Sequence, residues 1–335
     1  MYRLIRDLLF LLPAETSHHL TLHSLKLATQ LGLAGKPRAF AGRPVTVMGL
    51  TFPNPVGLAA GLDKNGDYID GLATFGFGFI EIGTITPRPQ PGNPKPRLFR
   101  LKEAEAIINR MGFNNEGVEY LIQQVKQKKY TGILGINIGK NFDTPVDNAL
   151  SDYQKAMQAV YPYADYITIN ISSPNTPGLR TLQYGAELKQ LLAPLKQTQL
   201  QCANQSGRYV PIVVKVAPDL EKADIAGIAD VLLSTQMDGL IATNTTLERS
   251  KVQGLHHADE KGGLSGKPLT ARSTEVIAEF YQHLKEELPI IGVGGISSGA
   301  DAKAKLEAGA KLVQVYSGLI YQGSQLVKDC VAATS

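Results

Sequence analysis

The sequence has few cysteines, a small net charge and no long apolar run. Its two cysteines, Cys202 and Cys330, lie far apart and outside any metal-like spacing, which argues against a disulfide framework or a zinc site and suits a reducing cytoplasm. A net charge of +4 over 335 residues is too small to predict a nucleic-acid partner. No stretch reaches the ~18 apolar residues of a transmembrane helix. The apolar run after Asp7 is five residues long and has no clean cleavage site, which argues against a signal peptide.

The positive charge is concentrated at the N-terminus. Residues 1–40 carry a net charge of +3 and three of the six histidines, whereas the remaining residues are nearly neutral. Leucine-rich patterns before and after Pro13 predict two short helices, with Thr16 or Ser17 as the N-cap of the second. Two interpretations are open: a helical hairpin docked onto the main domain, or an amphipathic anchor at a membrane surface.

Eight short apolar or β-branched runs recur through the rest of the chain. They are 55–61, 78–83, 132–138, 165–171, 211–217, 239–244, 289–294 and 311–316. Near-continuous apolar runs are typical of strands buried on both faces of a parallel sheet. Helical patterns fill several gaps, as at 188–199, 223–234 and 274–288. Eight βα units predict an α/β fold of the (β/α)8 TIM-barrel class with a small N-terminal helical extension, and a doubly wound open sheet is the alternative.

Two segments depart from a plain barrel. Residues 45–52 predict a small hairpin that turns at Met48-Gly49, before the first barrel strand. The connection 84–116 contains five prolines between Pro87 and Pro96, which excludes a helix there and predicts extended or turned chain. Because the βα loops of a barrel carry its active site, so long a loop indicates function.

The carboxyl ends of the predicted strands are rich in amides, hydroxyls and lysines. They lack paired carboxylates and histidines, which argues against a glycosidase or a metallohydrolase and predicts no metal. The composition favours a site that holds a large, polar, planar molecule through many neutral hydrogen bonds. Glycine-rich turns at 262–266, 294–295 and 316–318 occupy positions where barrels bind phosphate, although ordinary turn glycines would give the same pattern.

Two lysines and one polar loop are the candidate chemical groups. Lys215 interrupts the apolar run PIVVKVA, where a cation needs either a structural ion pair or a ligand such as a flavin ring. Lys64 either contacts ligands or pairs with Asp63. The segment 170–176 (NISSPNT) suits a small planar acid or amide and offers a serine as base, but hydrogen-bonded turn chemistry explains the same residues.

These segments together resemble the dihydroorotate dehydrogenase family over the whole chain. The matching motifs are AAGLDKNG (59–66), INRMGFNN (108–115), INISSPNTPGLR (169–180), KVAPDL (215–220), ATNTT (242–246), GGLSGKPL (262–269), GVGGI (292–296) and VYSGL (315–319). The soluble class of this family has a cysteine at the position of Ser173 and lacks an N-terminal helical extension. The chain therefore resembles the membrane-associated, quinone-dependent class.

The resemblance implies one non-covalent FMN per subunit and oxidation of dihydroorotate to orotate in UMP biosynthesis. The FMN-contacting residues it implies are Ala60, Gly61, Leu62, Asp63, Lys64, Thr84, Asn137, Asn170, Lys215, Thr243, Gly266, Gly295, Tyr316 and Ser317. The substrate residues it implies are Lys64, Asn109, Arg110, Met111, Gly112, Phe113, Asn170, Asn175, Asn244 and Thr245. Ser173 would take the proton from C5 of the substrate while hydride leaves C6.

The resemblance also implies a membrane quinone as electron acceptor. Residues 1–40 would form the membrane- and quinone-associating segment, and 41–335 the FMN-binding barrel. The quinone would enter a tunnel between the two, for which His18 or His19, Arg100 and Tyr316 are candidate lining residues. A monomer peripherally bound to the cytoplasmic face of the cell membrane is expected.

Three other functions compete with this interpretation. A different FMN-dependent barrel could oxidise a 2-hydroxy acid or a nucleotide base, although a hydroxy-acid oxidase would need a histidine base at a strand end. A barrel without redox activity could bind a sugar phosphate. A membrane-bound scaffold that has lost its activity is the third, and the intact Ser173, Lys64 and Lys215 argue against it.

Overall fold

The computed structural model describes residues 2–335. Its strands are β1 (Val45–Val47), β2 (Leu50–Phe52), β3 (Val56–Leu58), β4 (Phe79–Ile85), β5 (Leu98–Leu101), β6 (Ala106–Asn109), β7 (Ile133–Ile138), β8 (Tyr166–Asn170), β9 (Ile212–Val216), β10 (Gly239–Ala242), β11 (Gly263–Gly266), β12 (Ile290–Val293) and β13 (Leu312–Val315). Its helices are α1 (Tyr2–Leu9), α2 (Ala14–Gln30), α3 (Ile69–Ala73), α4 (Gly117–Gln127), α5 (Ala149–Val160), α6 (Gly185–Ser206), α7 (Lys222–Ser234), α8 (Thr270–Leu284), α9 (Gly299–Glu307), α10 (Ser317–Gln322) and α11 (Gln325–Ala333).

Within residues 2–335, eight parallel strands close into a barrel in the order β3-β4-β7-β8-β9-β10-β12-β13. Each of the eight sequence runs coincides with one of these strands, although the second strand extends to Ile85, two residues beyond its run. The (β/α)8 prediction is therefore confirmed and the open doubly wound sheet is wrong. Nearly every strand residue is buried, because side chains fill the barrel interior while helices cover its outer surface. The predicted helix at 274–288 ends earlier than expected, at Leu284, where Lys285 adopts a φ of 45°.

The predicted hairpin closes the amino-terminal end of the barrel. Strands β1 and β2 pair antiparallel and turn at Met48 and Gly49, whose φ angles of 54° and 74° suit a two-residue hairpin turn. Phe52 then packs edge-on against Phe79 of β4, with ring centroids 5.0 Å apart. This contact leaves the opposite, carboxyl end of the barrel as the open one.

The proline-rich connection leads into a small sheet above the carboxyl end of the barrel. No helix forms between residues 87 and 96, as the prolines predicted. Strands β5 and β6 then pair antiparallel, and β11 joins on the other side of β6. This three-stranded sheet was not foreseen from the sequence. It ties the loop after β4 to the loop after β10.

The two N-terminal helices pack against the barrel near this sheet. Helix α2 begins at Ala14 directly after Pro13, so the predicted cap at Thr16 or Ser17 is wrong. Ser17 is instead buried, and its hydroxyl donates to the Leu9 carbonyl at 2.5 Å. Leu22 of α2 is buried within the main core. Among the helices of residues 2–335, none combines the length and the apolar character needed to cross a bilayer.

Candidate active site

A cavity opens at the carboxyl ends of the barrel strands, beneath the three-stranded sheet, and encloses about 1010 Å³ when its solvent-filled mouth is included. The predicted site residues that line it are Ala60, Gly61, Lys64, Thr84, Asn109, Met111, Gly112, Phe113, Asn170, Ser173, Asn175, Lys215, Thr243, Asn244, Thr245, Gly266, Gly295, Tyr316 and Ser317. The lining residues that sequence analysis did not predict are Ala59, Leu269, Val293, Ile296 and Gln314, whereas Ser265, Gly294 and Gly318 lie in the glycine-rich turns that it proposed for phosphate.

Four predicted site residues lie outside this lining. Leu62 is buried beside it, and the Asp63 carboxylate accepts the backbone N–H groups of the loop that follows β3. Burial raises the pKa of Asp63 to about 6, against the lowering effect of those hydrogen bonds. Arg110 turns outward and pairs with Glu260 at 2.6 Å, while Asn137 supports the lining from below. These four residues, which lie next to cavity-lining residues in the sequence motifs, thus support the surrounding structure without lining the cavity.

A buried carboxylate below the cavity fixes the orientation of the amides at its floor. Glu81 is fully buried and accepts hydrogen bonds from Tyr166 at 2.8 Å, Gln314 at 2.7 Å and Asn137 Nδ2 at 2.8 Å. With its amide nitrogen committed to Glu81, Asn137 presents Oδ1 to Asn170 Nδ2 at 3.2 Å. The Asn170 oxygen therefore faces the opposite side. The one sequence feature that could have indicated this network is the acid within the apolar run GFIEIG.

Lys215 projects into the cavity without an anionic partner. It is 5% exposed, and no protein atom within residues 2–335 accepts a hydrogen bond from its ammonium group. Burial lowers its pKa, opposed by the more distant Glu81. The structural ion pair considered above is therefore not formed, and a buried cation of this kind is costly unless a ligand compensates for it.

Lys64 is held at the edge of the same cavity. Its ammonium donates to the Gly61 carbonyl at 2.9 Å rather than to Asp63, so the pairing considered from sequence is wrong. Burial, together with the nearby Arg97 guanidinium, lowers the pKa of Lys64 to about 8. Lys64 thus supplies a second cation to the cavity.

The two serines of the 170–176 loop occupy different environments. Ser172 is fully buried, and its hydroxyl bonds to Asn170 at 3.2 Å and to Asn244 at 3.0 Å. Ser173 lines the cavity, and its Oγ accepts only the backbone N–H of Asn175 at 3.2 Å among the described residues. The Ser173 proton is therefore uncommitted, which distinguishes Ser173 as the serine able to act on a ligand.

Glycine loops form one end of the cavity. Gly294 and Gly295 have φ angles of 119° and 74°, and a side chain at Gly295 would meet the Thr270 backbone nitrogen at 2.4 Å. Ser317 donates to Ser265 at 2.7 Å, which brings the glycine-rich turns at 316–318 and 262–266 together. A phosphate could approach the backbone closely here.

No histidine within residues 2–335 lines the cavity, so the hydroxy-acid oxidase interpretation lacks its base.

Of the candidate residues for a quinone tunnel, Tyr316 lines the cavity, and Arg100 donates to the carbonyls of Leu9 and Leu12 in the N-terminal segment. His18 is half-buried, and burial next to Lys64 lowers its pKa to about 3. His19 is exposed.

Comparisons with known proteins agree with this geometry. The family model for dihydroorotate dehydrogenase matches residues 44–333. The dihydroorotate dehydrogenase (quinone) of Nitrosomonas eutropha is 60% identical over 98% of this chain and 96% of its own length. That of Chromobacterium violaceum is 60% identical over 100% and 98%. The solved structure of dihydroorotate dehydrogenase from Eimeria tenella with ferulenol has a TM-score of 0.87 at 38% identity, covering 94% of this chain and 90% of that one. The chain belongs to the dihydroorotate dehydrogenase family.

Proposed function

We propose that the protein oxidises dihydroorotate to orotate with non-covalent FMN and passes the electrons to a membrane quinone, as a step of pyrimidine biosynthesis. The observation that carries this proposal is the pairing of an uncommitted Ser173 hydroxyl with the unpartnered Lys215 ammonium in one cavity. A base and a cation that await a ligand are what a flavin-dependent dehydrogenation of a carbon acid requires.

The lining fits FMN in its charge and in its shape. Lys215 supplies the buried positive charge that an electron-rich flavin ring would compensate. At the other end, Gly295 and Ser317 would hold the phosphate, since the glycine backbone can approach it closely. When bound, FMN supplies the hydride acceptor for substrate C6 and the route by which two electrons reach the quinone.

The opposite side of the cavity would hold the substrate. Asn109 and Asn175 are joined by a hydrogen bond of 3.2 Å, and Asn244 is oriented by Ser172. Such fixed amides can bind the carbonyl and N–H groups of a planar ring, while the Lys64 ammonium can bind its carboxylate. Ser173 would first lose its hydroxyl proton to water, with the Asn175 N–H stabilising the negative charge on Oγ. This oxygen would then take the C5 proton and become a neutral hydroxyl again.

The N-terminal segment is proposed to bind the membrane peripherally, on the cytoplasmic face. Most of the exposed large hydrophobic side chains belong to residues 2–33, including Leu4, Leu8 and Leu11 at 72, 68 and 78% exposure. A lipid surface would cover these leucines and supply the quinone. We infer that the protein acts as a monomer, which light scattering of the purified protein would test.

Replacing Ser173 by alanine tests the assignment of the base. We expect Ser173→Ala to retain FMN and to slow anaerobic bleaching of the flavin by dihydroorotate by roughly 10²- to 10⁴-fold, the usual contribution of a general base. Ser172→Ala is the matched control, because the Ser172 hydroxyl orients Asn170 and Asn244 but does not line the cavity. That control should weaken substrate binding more than it slows bleaching.

Two outcomes would refute parts of the proposal. Bleaching of Ser173→Ala at the wild-type rate would show that Ser173 is not the base. A colourless wild-type protein that cannot be reconstituted with FMN would return the sugar-phosphate barrel to consideration. Recovery of the bleached wild-type flavin on adding a quinone tests the acceptor separately.

A further inference from the structure

A second buried lysine lies behind the glycine loop at the proposed phosphate end. Lys305 of α9 is 0% exposed, although its side chain carries an ammonium group. It donates to Ser273 Oγ at 2.6 Å, to Thr274 Oγ1 at 3.0 Å and to the Thr270 carbonyl at 3.4 Å, all of them on α8. None of these three acceptors is charged.

The positive charge of Lys305 is not neutralised within residues 2–335. No carboxylate forms an ion pair with it, and Asp301 of the same helix acts on it only from a distance. The Asp301 carboxylate is already engaged with Ser297 and Ser298. Burial lowers the pKa of Lys305 to about 8, so the group is still protonated near neutral pH. An isolated buried cation costs several kcal/mol and calls for a compensating anion.

A chain of hydrogen bonds leads from Lys305 to the glycine loop. The Ser273 hydroxyl, which accepts from Lys305, has the Gly294 carbonyl as its nearer acceptor at 2.8 Å, against 3.1 Å to the Thr270 carbonyl. The peptide unit that contains this carbonyl carries the N–H of Gly295, which has no acceptor among the described residues. Polarising a carbonyl strengthens the N–H of the same peptide as a donor, because hydrogen bonds in a series reinforce one another.

We propose that Lys305 is a positioning residue for the cofactor phosphate, acting through Ser273 and the Gly294–Gly295 peptide. This inference rests on the proposed function, since it assumes a phosphate-bearing flavin at the glycine loop. Lys305 supplies positive charge that solvent does not screen, and the relay delivers part of its effect to the Gly295 N–H. Lys305 does not contact the ligand itself, because it does not line the cavity.

The test compares FMN with riboflavin, which has the same ring system and no phosphate. Full-length protein freed of flavin is titrated with each ligand, and binding is followed by quenching of flavin fluorescence. Lys305→Met should raise the Kd for FMN about tenfold or more, the size of one charge-assisted interaction. It should change the Kd for riboflavin by less than about twofold. Ser273→Ala, which interrupts the relay, should shift the FMN Kd in the same direction.

Lys303→Met is the matched control. Lys303 lies on the same helix with a side chain 61% exposed, next to Glu307, so its loss should alter neither Kd. Equal weakening of FMN and riboflavin by Lys305→Met, or no weakening of either, would overturn the proposal. If Lys305→Met does not fold, the FMN-to-riboflavin ratio of Ser273→Ala decides the question. Wild-type protein that binds neither flavin would instead overturn the proposed function.

Discussion

Replacing Glu15 by glutamine is expected to loosen the docking of helix α2 on the barrel. Arg97, 6% exposed, donates to the Glu15 carboxylate at 2.8 Å through Nη2 and at 3.2 Å through Nε, and Glu15 is 8% exposed. Glutamine keeps the shape and one acceptor oxygen but removes the negative charge, and the guanidinium also retains the carbonyls of Pro91 and Asn93. Breaking a buried ion pair costs about 3–5 kcal/mol. Because these neutral acceptors remain, we expect the lower value, about 3 kcal/mol.

Hydrogen exchange followed by mass spectrometry measures this loss where it occurs. A change of about 3 kcal/mol in local opening corresponds to roughly 100-fold faster exchange of the α2 amides, whereas peptides from α8 should be unaffected. Asp7→Asn is the control, because Asp7 pairs with Arg6 while 61% exposed, and such surface pairs contribute less than about 1 kcal/mol. Exchange in α2 no faster in Glu15→Gln than in this control would refute the reasoning.

The same ion pair makes the docking of α2 on the barrel weaker at low pH. Burial alone would raise the pKa of Glu15, but the hydrogen bonds and charge of Arg97, with a smaller contribution from Lys95, hold that pKa below its ordinary value. A carboxyl group with a depressed pKa stabilises the folded state above its unfolded pKa, and this stability is lost as the pH falls through the folded pKa. Below about pH 4, wild-type α2 should therefore open more readily, while α2 in Glu15→Gln should respond less.

Two further predictions concern the buried lysines. Lys215→Met should weaken FMN binding by about 10- to 100-fold. It should not lower the melting temperature of the flavin-free protein, because it removes a buried charge that has no protein partner. A melting temperature that falls together with the affinity would contradict this. Burial lowers the pKa of Lys305 in the folded protein to about 8. Between about pH 8 and 10.5 the unfolded chain therefore holds a proton that the folded chain has lost, so the free energy of unfolding should rise with pH. In urea unfolding of the flavin-free protein, the free energy of unfolding of Lys305→Met should rise less steeply with pH than that of wild type, by up to about 1.4 kcal/mol per pH unit. Part of the rise should remain in the variant, because the pKa of Lys64 is also lowered to about 8.

The barrel could be predicted because its information is local. Each strand is marked by its own apolar run, as in PIVVKVA for β9, and glycine or proline marks many of the strand boundaries. The hairpin at 45–52 was predicted for the same reason. The three-stranded sheet was missed because β6 pairs with β11, and Asn109 and Gly263 are separated by about 150 residues of sequence. No local pattern in either segment identifies its partner.

The site could be predicted in composition but not in detail. The resemblance to the family, which is confirmed, supplied motifs but not the direction in which each side chain points. Ser172 and Ser173 are adjacent, and only the closed barrel turns Ser173 to the cavity. Lys305 escaped notice because it follows a helical pattern and has no motif of its own. Its burial depends on packing between α8 and α9, which the sequence does not reveal.

The three-stranded sheet physically connects the two proposed ligand regions. Its strand β6 ends in Asn109 on the proposed substrate side, while β11 carries Ser265, which bonds to Ser317 on the proposed phosphate side. Strand β5 follows directly after Arg97, the residue held by Glu15 of α2. If binding of one ligand orders this sheet, it favours binding of the other ligand. Thermodynamic linkage requires each ligand to raise the affinity for the other by the same factor. From this connection we expect the proposed cofactor, the proposed substrate and the docked N-terminal helices to favour one another.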